Sequence, residues 1–240
     1  MKIIEKIKDK QNDLYGKKQP ALAFLGDSVT HGCFEIFVKN EQVQTAMRID
    51  SGYPEKVKKI LNTLYPTVPL VTINAGISGD NAANGAARLE RDVLSYKPDF
   101  VTVCYGLNDS MQGADGLDKY KNALCDIFAR IQKSDAEAVF ITPNLRTDKI
   151  DMPVNDKRLE NVIKNVVENE LAGWGNTYIS EAKKICAEHD VPVCDCMHLW
   201  QSLKDNGVEI NELLSNRVNH PTEAMHWLFA YELVRMMFLS

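Results

Sequence analysis

The chain has 240 residues, 45% of them hydrophobic and 25% charged, a globular balance that excludes disordered, collagen-like and coiled-coil classes. Its 28 basic and 33 acidic residues leave a net charge of −5, which supplies no phosphate-neutralising surface, so nucleic acid is not an expected partner. A chain of this length buries about 70–75% of its unfolded surface and needs no metal or cofactor to hold a core.

Residues 1–18 interleave charge with Ile3, Ile4 and Ile7 at helical spacing, which predicts an N-terminal helix. They lack the apolar core of a secretory leader, so a cytoplasmic protein is expected. No apolar run approaches the roughly 18–20 residues that span a bilayer. The six cysteines are scattered and read as reduced thiols. Cys194 and Cys196 flank one aspartate, but no second pair accompanies them and no metal site is expected.

Five short apolar runs, at 20–25, 70–74, 100–105, 138–142 and 191–194, are continuous and not alternating, as in parallel strands covered on both faces. Between them apolar residues recur at three- and four-residue spacing: Val57, Ile60, Leu61 and Leu64; Ala86, Leu89 and Val93; Tyr120, Leu124, Ile127, Phe128 and Ile131; Leu159, Val162, Ile163, Val166 and Val167. Trp227, Leu228, Tyr231, Val234 and Phe238 predict a last helix packed on the sheet through that side. This alternation predicts one α/β domain over residues 1–240, a three-layer α/β/α sandwich on a five-stranded parallel sheet. Ligand sites in such sheets lie outside the carboxyl ends of the strands.

Two long polar connections, 30–52 and 144–155, follow the first and fourth strands and are expected to wall that edge. Within the first, 34–39 has the composition to pair locally. Asn40, Gln42, Gln44, Asn144, Arg146 and Asp148 are candidates to bind substrate hydroxyls.

Short polar groups cluster where strands end. The first strand runs into Gly26-Asp27-Ser28, the second into Asn74-Ala-Gly-Ile-Ser-Gly79, and the third into Gly106-Leu107-Asn108-Asp109. A serine directly after a strand is presented at the carboxyl edge, and glycine turns beside it bring backbone N–H donors to the same place. Neither a G-x-G-x-x-G fingerprint nor a phosphate loop is present, which removes the usual support for nucleotide binding. Near the C-terminus Pro221 holds His220 extended ahead of the last helix. His31, His189, His198 and His226 read as structural or solvated.

In order and placement these four segments resemble the SGNH, or GDSL, hydrolase family, whose fold is flavodoxin-like. The resemblance implies that Ser28 is the nucleophile and His220 its base. It implies an oxyanion hole made of the Ser28 and Gly79 backbone N–H groups and the Asn108 side chain. Asp27 and Asp109 are expected to hold turns.

The family's aspartate three residues before the histidine is replaced by Arg217. Three alternatives follow: a main-chain carbonyl, such as that of Arg217, orients the imidazole; Asn216 or Asp195 does so; or the protein binds its ligand without turnover. Arg217 is also placed to reach a substrate carboxylate or phosphate. The implied activity is that of a serine esterase on small acyl esters, with O-acetylated carbohydrate as the preferred substrate and lysophospholipase or thioesterase activity as the alternative. No cofactor is implied, and oligomeric state is left open.

Overall fold

The computed structural model describes residues 1–151 and 156–239. Helix α1 (Lys2–Asn12) buries Ile3, Ile4 and Ile7, as their spacing predicts. It stops six residues short of the expected 18, because Lys10 Nζ donates to the carbonyls of Leu14 and Lys17 and folds the following turn back on the helix.

Strand β1 (Ala21–Gly26) runs into the one-turn helix α2 (Ser28–His31). The expected long loop is instead structured. It holds a hairpin of β2 (Cys33–Lys39) and β3 (Gln42–Met47). Asn40 and Glu41 turn it, both at positive φ, the backbone that a two-residue hairpin turn with the strands' own twist demands.

Then follow α3 (Tyr53–Leu64), β4 (Val71–Gly76), α4 (Ala82–Asp92), β5 (Phe100–Cys104), α5 (Gly113–Lys133) and β6 (Glu137–Ile141). The chain closes with α6 (Lys157–Leu171), α7 (Trp174–Glu188), β7 (Val193–Cys194), α8 (Cys196–Asp205) and α9 (Glu223–Leu239). Residues 152–155 of the expected second wall lie outside the described residues.

The parallel sheet has the order β4-β1-β5-β6-β7. Going from β1 to β4 the chain moves one way, and from β4 through β5 and β6 to β7 it moves the other. Right-handed crossovers then put α3 on one face and α4, α5 and the α6–α7 pair on the opposite face. Helix packing agrees: α3 pairs with α9, while α4 packs on α5 and α5 on α7. The order reverses between β1 and β5, and that crevice is where doubly wound sheets bind ligands. Register aligns the strand ends there, Gly26 opposite both Gly76 and Cys104.

Two expectations about burial are corrected. Strand β4 is an edge strand, and Val71 is 38% exposed, so its apolar run does not mean cover on both faces. Helix α9 is apolar nearly all round, and its inward side is His226, Phe229, Ala230, Leu233, Val234 and Met237, whereas Tyr231 and Phe238 face outward. A helix without a polar face has no periodicity from which to choose the buried side. Helices α7 and α8 were not singled out by spacing at all. Among the described residues no helix is long and apolar enough to cross a membrane.

Candidate active site

Ser28 opens helix α2, whose N-cap is Asp27: the carboxylate accepts the Val29 N–H at 3.0 Å. Being the first helical residue, Ser28 has a backbone N–H with no partner inside the helix. Gly76 is needed for this turn to sit so close to β4. A Cβ there would lie 2.3 Å from the His31 nitrogen and 2.7 Å from its Cα.

The Gly79 turn follows β4 with φ +78° and open space on its Cβ side. Its neighbour Ser78 donates its N–H to His31 Nδ1 at 3.2 Å, so His31 braces this turn. Asn108 follows β5, and its Nδ2 donates to the Asp80 carbonyl at 2.8 Å, leaving its second amide hydrogen for another acceptor. Asp109 accepts the N–H groups of Ala82 at 2.9 Å and Gly106 at 3.1 Å, which ties the Gly79 and Asn108 turns together. Asp27 and Asp109 therefore hold turns as expected. Burial pushes their carboxyls up to about 7 and about 6.

Behind this edge lies a buried group that spacing did not reveal. Arg88 of α4 grips Asp80 through Nε at 2.8 Å and Nη2 at 2.6 Å. It also donates to the carbonyls of Ala75 and Gly26 and to Tyr105 Oη. One guanidinium thus joins the ends of β4 and β1 to the turn that carries Asn108. The cue available in the sequence was an arginine on the otherwise apolar side of α4, beside Leu89.

His220 comes from the far side of the edge. Its Nε2 lies 3.0 Å from Ser28 Oγ, and the two side chains are nearly inaccessible, at 2% and 5% exposure. The loop that carries it closes on itself through Ser215 N–H to the His220 carbonyl and Thr222 N–H to the Leu213 carbonyl. Two further ties come from the chain after β6: Thr147 N–H donates to the Val218 carbonyl, and Asn144 Nδ2 to the Asn219 carbonyl. Val218 packs on Ile163 and Val166 of α6.

The other side of the imidazole answers the question that Arg217 posed. Asn216 Nδ2 stands 3.0 Å from His220 Nδ1, Cys33 Sγ stands 3.6 Å from the same atom, and the Phe34 carbonyl favours the protonated ring. Burial outweighs that carbonyl and holds His220 down to about 4.

The Arg217 guanidinium is directed away from the ring. It pairs with Asp151 at 2.7 Å and Glu212 at 2.9 Å, and the Arg217 backbone adopts φ +55°. The main-chain carbonyl that acts on the ring is that of Phe34 from β2, which also accepts the Ser215 hydroxyl. Asp195 is engaged elsewhere, with Thr142, Lys183 and the His198 N–H.

Three of the six expected hydroxyl binders are engaged with the protein itself. Arg146 is buried and bonded to Glu170, Asn169 and Ser110. Asn144 anchors the histidine loop, and Asp148 pairs with Lys204. Asn40, Gln42 and Gln44 lie on the β2–β3 hairpin. A cleft of about 220 Å³ does open beside Asn108, lined by Asn81, Gln112, Asp115, Lys119 and Tyr120 among others. His226 is structural: its Nδ1 accepts the Tyr53 N–H at 3.1 Å. His198 is exposed, and the His189 ring lies against Phe128.

Chemically the arrangement offers a hydroxyl in hydrogen-bond contact with a neutral imidazole, and up to three N–H donors around the adjacent strand ends. Those are the parts of acyl transfer through a serine.

Comparison with known proteins identifies a family and a fold. A family model described as GDSL-like lipase/acylhydrolase matches residues 24–228. An acetylxylan esterase from Geobacillus stearothermophilus is 36% identical over 88 residues, covering 37% of this chain and 39% of that protein. The match thus spans well under half of the relative's length. The solved structure of an acetylxylan esterase from the same organism superposes with a TM-score of 0.66 at 22% identity, covering 92% of this chain and 95% of that one. A two-domain esterase active on acetylated mannans gives 0.68 at 18% identity, over 98% of this chain and 52% of that one. The two structural likenesses speak to the fold.

Proposed function

Since the chain belongs to the GDSL-like lipase/acylhydrolase family, we propose that it is a serine esterase whose nucleophile is Ser28 and whose base is His220. The observation that carries this reading is the 3.0 Å contact between Ser28 Oγ and His220 Nε2 at the carboxyl edge of the sheet. Ser28 Oγ attacks the ester carbonyl as its proton passes to Nε2. The tetrahedral oxyanion is received by the N–H groups of Ser28 and Gly79 and the free amide hydrogen of Asn108. Collapse expels the alcohol, which takes the proton back from Nε2, and water then cleaves the acyl-enzyme by the same exchange.

The preferred substrate is an O-acetyl group on a carbohydrate. Support comes from the cleft beside Asn108, where Asn81, Gln112, Asp115 and Lys119 offer both donors and acceptors to sugar hydroxyls. It comes also from relatives named for acetylated xylan and mannan.

The test is hydrolysis of p-nitrophenyl acetate, acetylated xylo- and manno-oligosaccharides and p-nitrophenyl octanoate by the wild type, Ser28→Ala and His220→Ala. Each substitution is expected to lower turnover by at least about 10³-fold, with the acetylated sugars preferred. A folded wild type no faster than Ser28→Ala, and unlabelled by a fluorophosphonate, would make the chain a ligand-binding relative without turnover. Preference for the octanoate would overturn the carbohydrate assignment alone.

A further inference from the structure

The amide of Asn216 meets His220 with a polarity opposite to that of the carboxylate an esterase base ordinarily has behind it. An asparagine's oxygen and nitrogen must be assigned from their partners, and here the partners leave one choice. Asn216 Oδ1 accepts three backbone N–H groups, from Val218 at 3.0 Å, Asn219 at 3.0 Å and His220 at 3.1 Å. Turning the amide over would face its NH₂ with all three donors. Nδ2 is therefore the atom 3.0 Å from His220 Nδ1, and its other hydrogen goes to Asn219 Oδ1 at 2.8 Å.

A nitrogen that accepts a hydrogen bond carries no proton of its own. With Nδ1 accepting, the neutral ring bears its proton on Nε2 and points it at Ser28 Oγ. That is the wrong tautomer for a base: the lone pair which should take the serine proton is on the far side of the ring.

We propose that Asn216 is a positioning residue that acts as a brake, holding resting His220 in the Nε2–H tautomer so that the enzyme turns over only from the minor Nδ1–H form. This rests on the reading of Ser28 and His220 given above. In the minor form the Phe34 carbonyl, which also accepts the Ser215 hydroxyl at 2.5 Å, receives a hydrogen bond from Nδ1–H, and the Asn216 N–H must move aside. When Nε2 then takes the proton of Ser28, the imidazolium has two N–H groups, and the amide opposes the one on Nδ1. An aspartate at 216 would reverse this. One oxygen would keep the three backbone N–H groups and the other would accept the Nδ1 proton. The Asn219 amide, turned over, would donate where it now accepts.

Three measurements test the brake. Histidine-selective ¹⁵N labelling of the wild type at neutral pH is expected to show His220 protonated on Nε2 and bare on Nδ1; a proton resting on Nδ1 overturns the proposal. This reading does not depend on turnover, so it stands or falls apart from the esterase assignment.

In kinetics, Asn216→Asp is expected to raise kcat on p-nitrophenyl acetate by about 10²-fold or more, with KM little changed. The reference is the roughly 10⁴-fold loss when a triad aspartate becomes asparagine, and the Phe34 carbonyl already supplies part of the difference. A folded variant with equal or lower kcat overturns the proposal.

The pH profile separates positioning from mere loop repair. Protonation of His220 sets a wild-type acid limb near 4. A carboxylate at 216 favours the imidazolium, so the acid limb of Asn216→Asp should move up in pH; an unmoved limb counts against the proposal. The titratable neighbours do not confuse the shift. Cys33 from β2 is pushed up to about 11 and His226 from α9 down to about 3, both by burial. Burial raises Asp27 and Asp109 to about 7 and about 6; both are left in place in Asn216→Asp, so the difference between the two profiles reports position 216.

Discussion

The two halves of the candidate site are built on different principles. The half that carries Ser28, Gly79 and Asn108 hangs from three adjacent parallel strands whose ends are in register at Gly26, Gly76 and Cys104. Each group sits two to four residues beyond a strand, and buried ionic and amide contacts from Asp80, Arg88 and Asp109 fix the turns from behind. The half that carries His220 belongs to no sheet. It is a loop closed on itself and held by side-chain amides, Asn216 from within and Asn144 from outside. The β2–β3 hairpin supplies a carbonyl and a thiol. Geometry set by strand register tolerates little chemical change, whereas a loop braced by amides can keep its shape while the polarity at one ring nitrogen is inverted.

The strongest way to break the first half is to remove its buried guanidinium. Arg88→Met retains much of the volume but leaves Asp80 buried beside Tyr105 without its cation. Truncating one partner of such a pair costs about 3–5 kcal/mol, so the midpoint of urea unfolding should fall sharply. Because Arg88 also holds the Gly26 and Ala75 carbonyls, esterase activity should be lost at lower urea than helical signal. A variant as stable as the wild type would mean that strand register alone maintains the edge.

A smaller and more local effect is expected at Asn108. Asn108→Ala removes one oxyanion donor together with the bond to the Asp80 carbonyl. Loss of a single donor of this kind costs about 10²–10³ in kcat, with KM nearly unchanged, since the donor strengthens as charge develops on oxygen. A rise in KM at constant kcat would instead make Asn108 a ground-state contact to the substrate in the adjacent cleft.

The same contrast explains what was legible in the chain. The strand-borne half was readable because a short segment contains its whole cause: an apolar run, then glycine and a small polar group, with position along the sheet edge following from register. The burial of α5 through Tyr120, Leu124, Ile127, Phe128 and Ile131 was readable for the same local reason, whereas the β2–β3 hairpin lay in a stretch expected to be loop, with local pairing at 34–39 left open.

The histidine half resisted because its partners are remote. Cys33 meets His220 across 187 residues, and nothing near position 220 announces it; the pairing of Ser28 with His220 across 192 residues came only from the family resemblance. Arg146 was expected to bind substrate hydroxyls, yet it is buried and bonded to Ser110, Asn169 and Glu170; Arg88, which no pattern singled out, is buried against Asp80 and Tyr105. Composition does not report such pairing. Arg217 drew attention because a familiar spacing placed it three residues before the histidine. The residue that reaches the ring is the one before it, because φ +55° at Arg217 turns that side chain toward Asp151 and Glu212.

That backbone angle yields the smallest expected effect and the sharpest contrast. If the carboxylate missing from the triad had merely been lost from position 217, restoring it there should restore the triad. The structure argues otherwise: the position-217 side chain is directed into an exposed pair of acids, 2.7 and 2.9 Å from the present guanidinium. Arg217→Asp should place a third carboxylate among them, a small solvent-screened cost, and leave kcat on p-nitrophenyl acetate unchanged. Asn216→Asp, one residue away, should raise it. Measured side by side at one pH, the two aspartates decide whether sequence spacing or amide geometry identifies the group behind His220. Equal gains would mean that the loop adapts to either, and a gain at 217 alone would mean that the loop rearranges to the spacing found in the family.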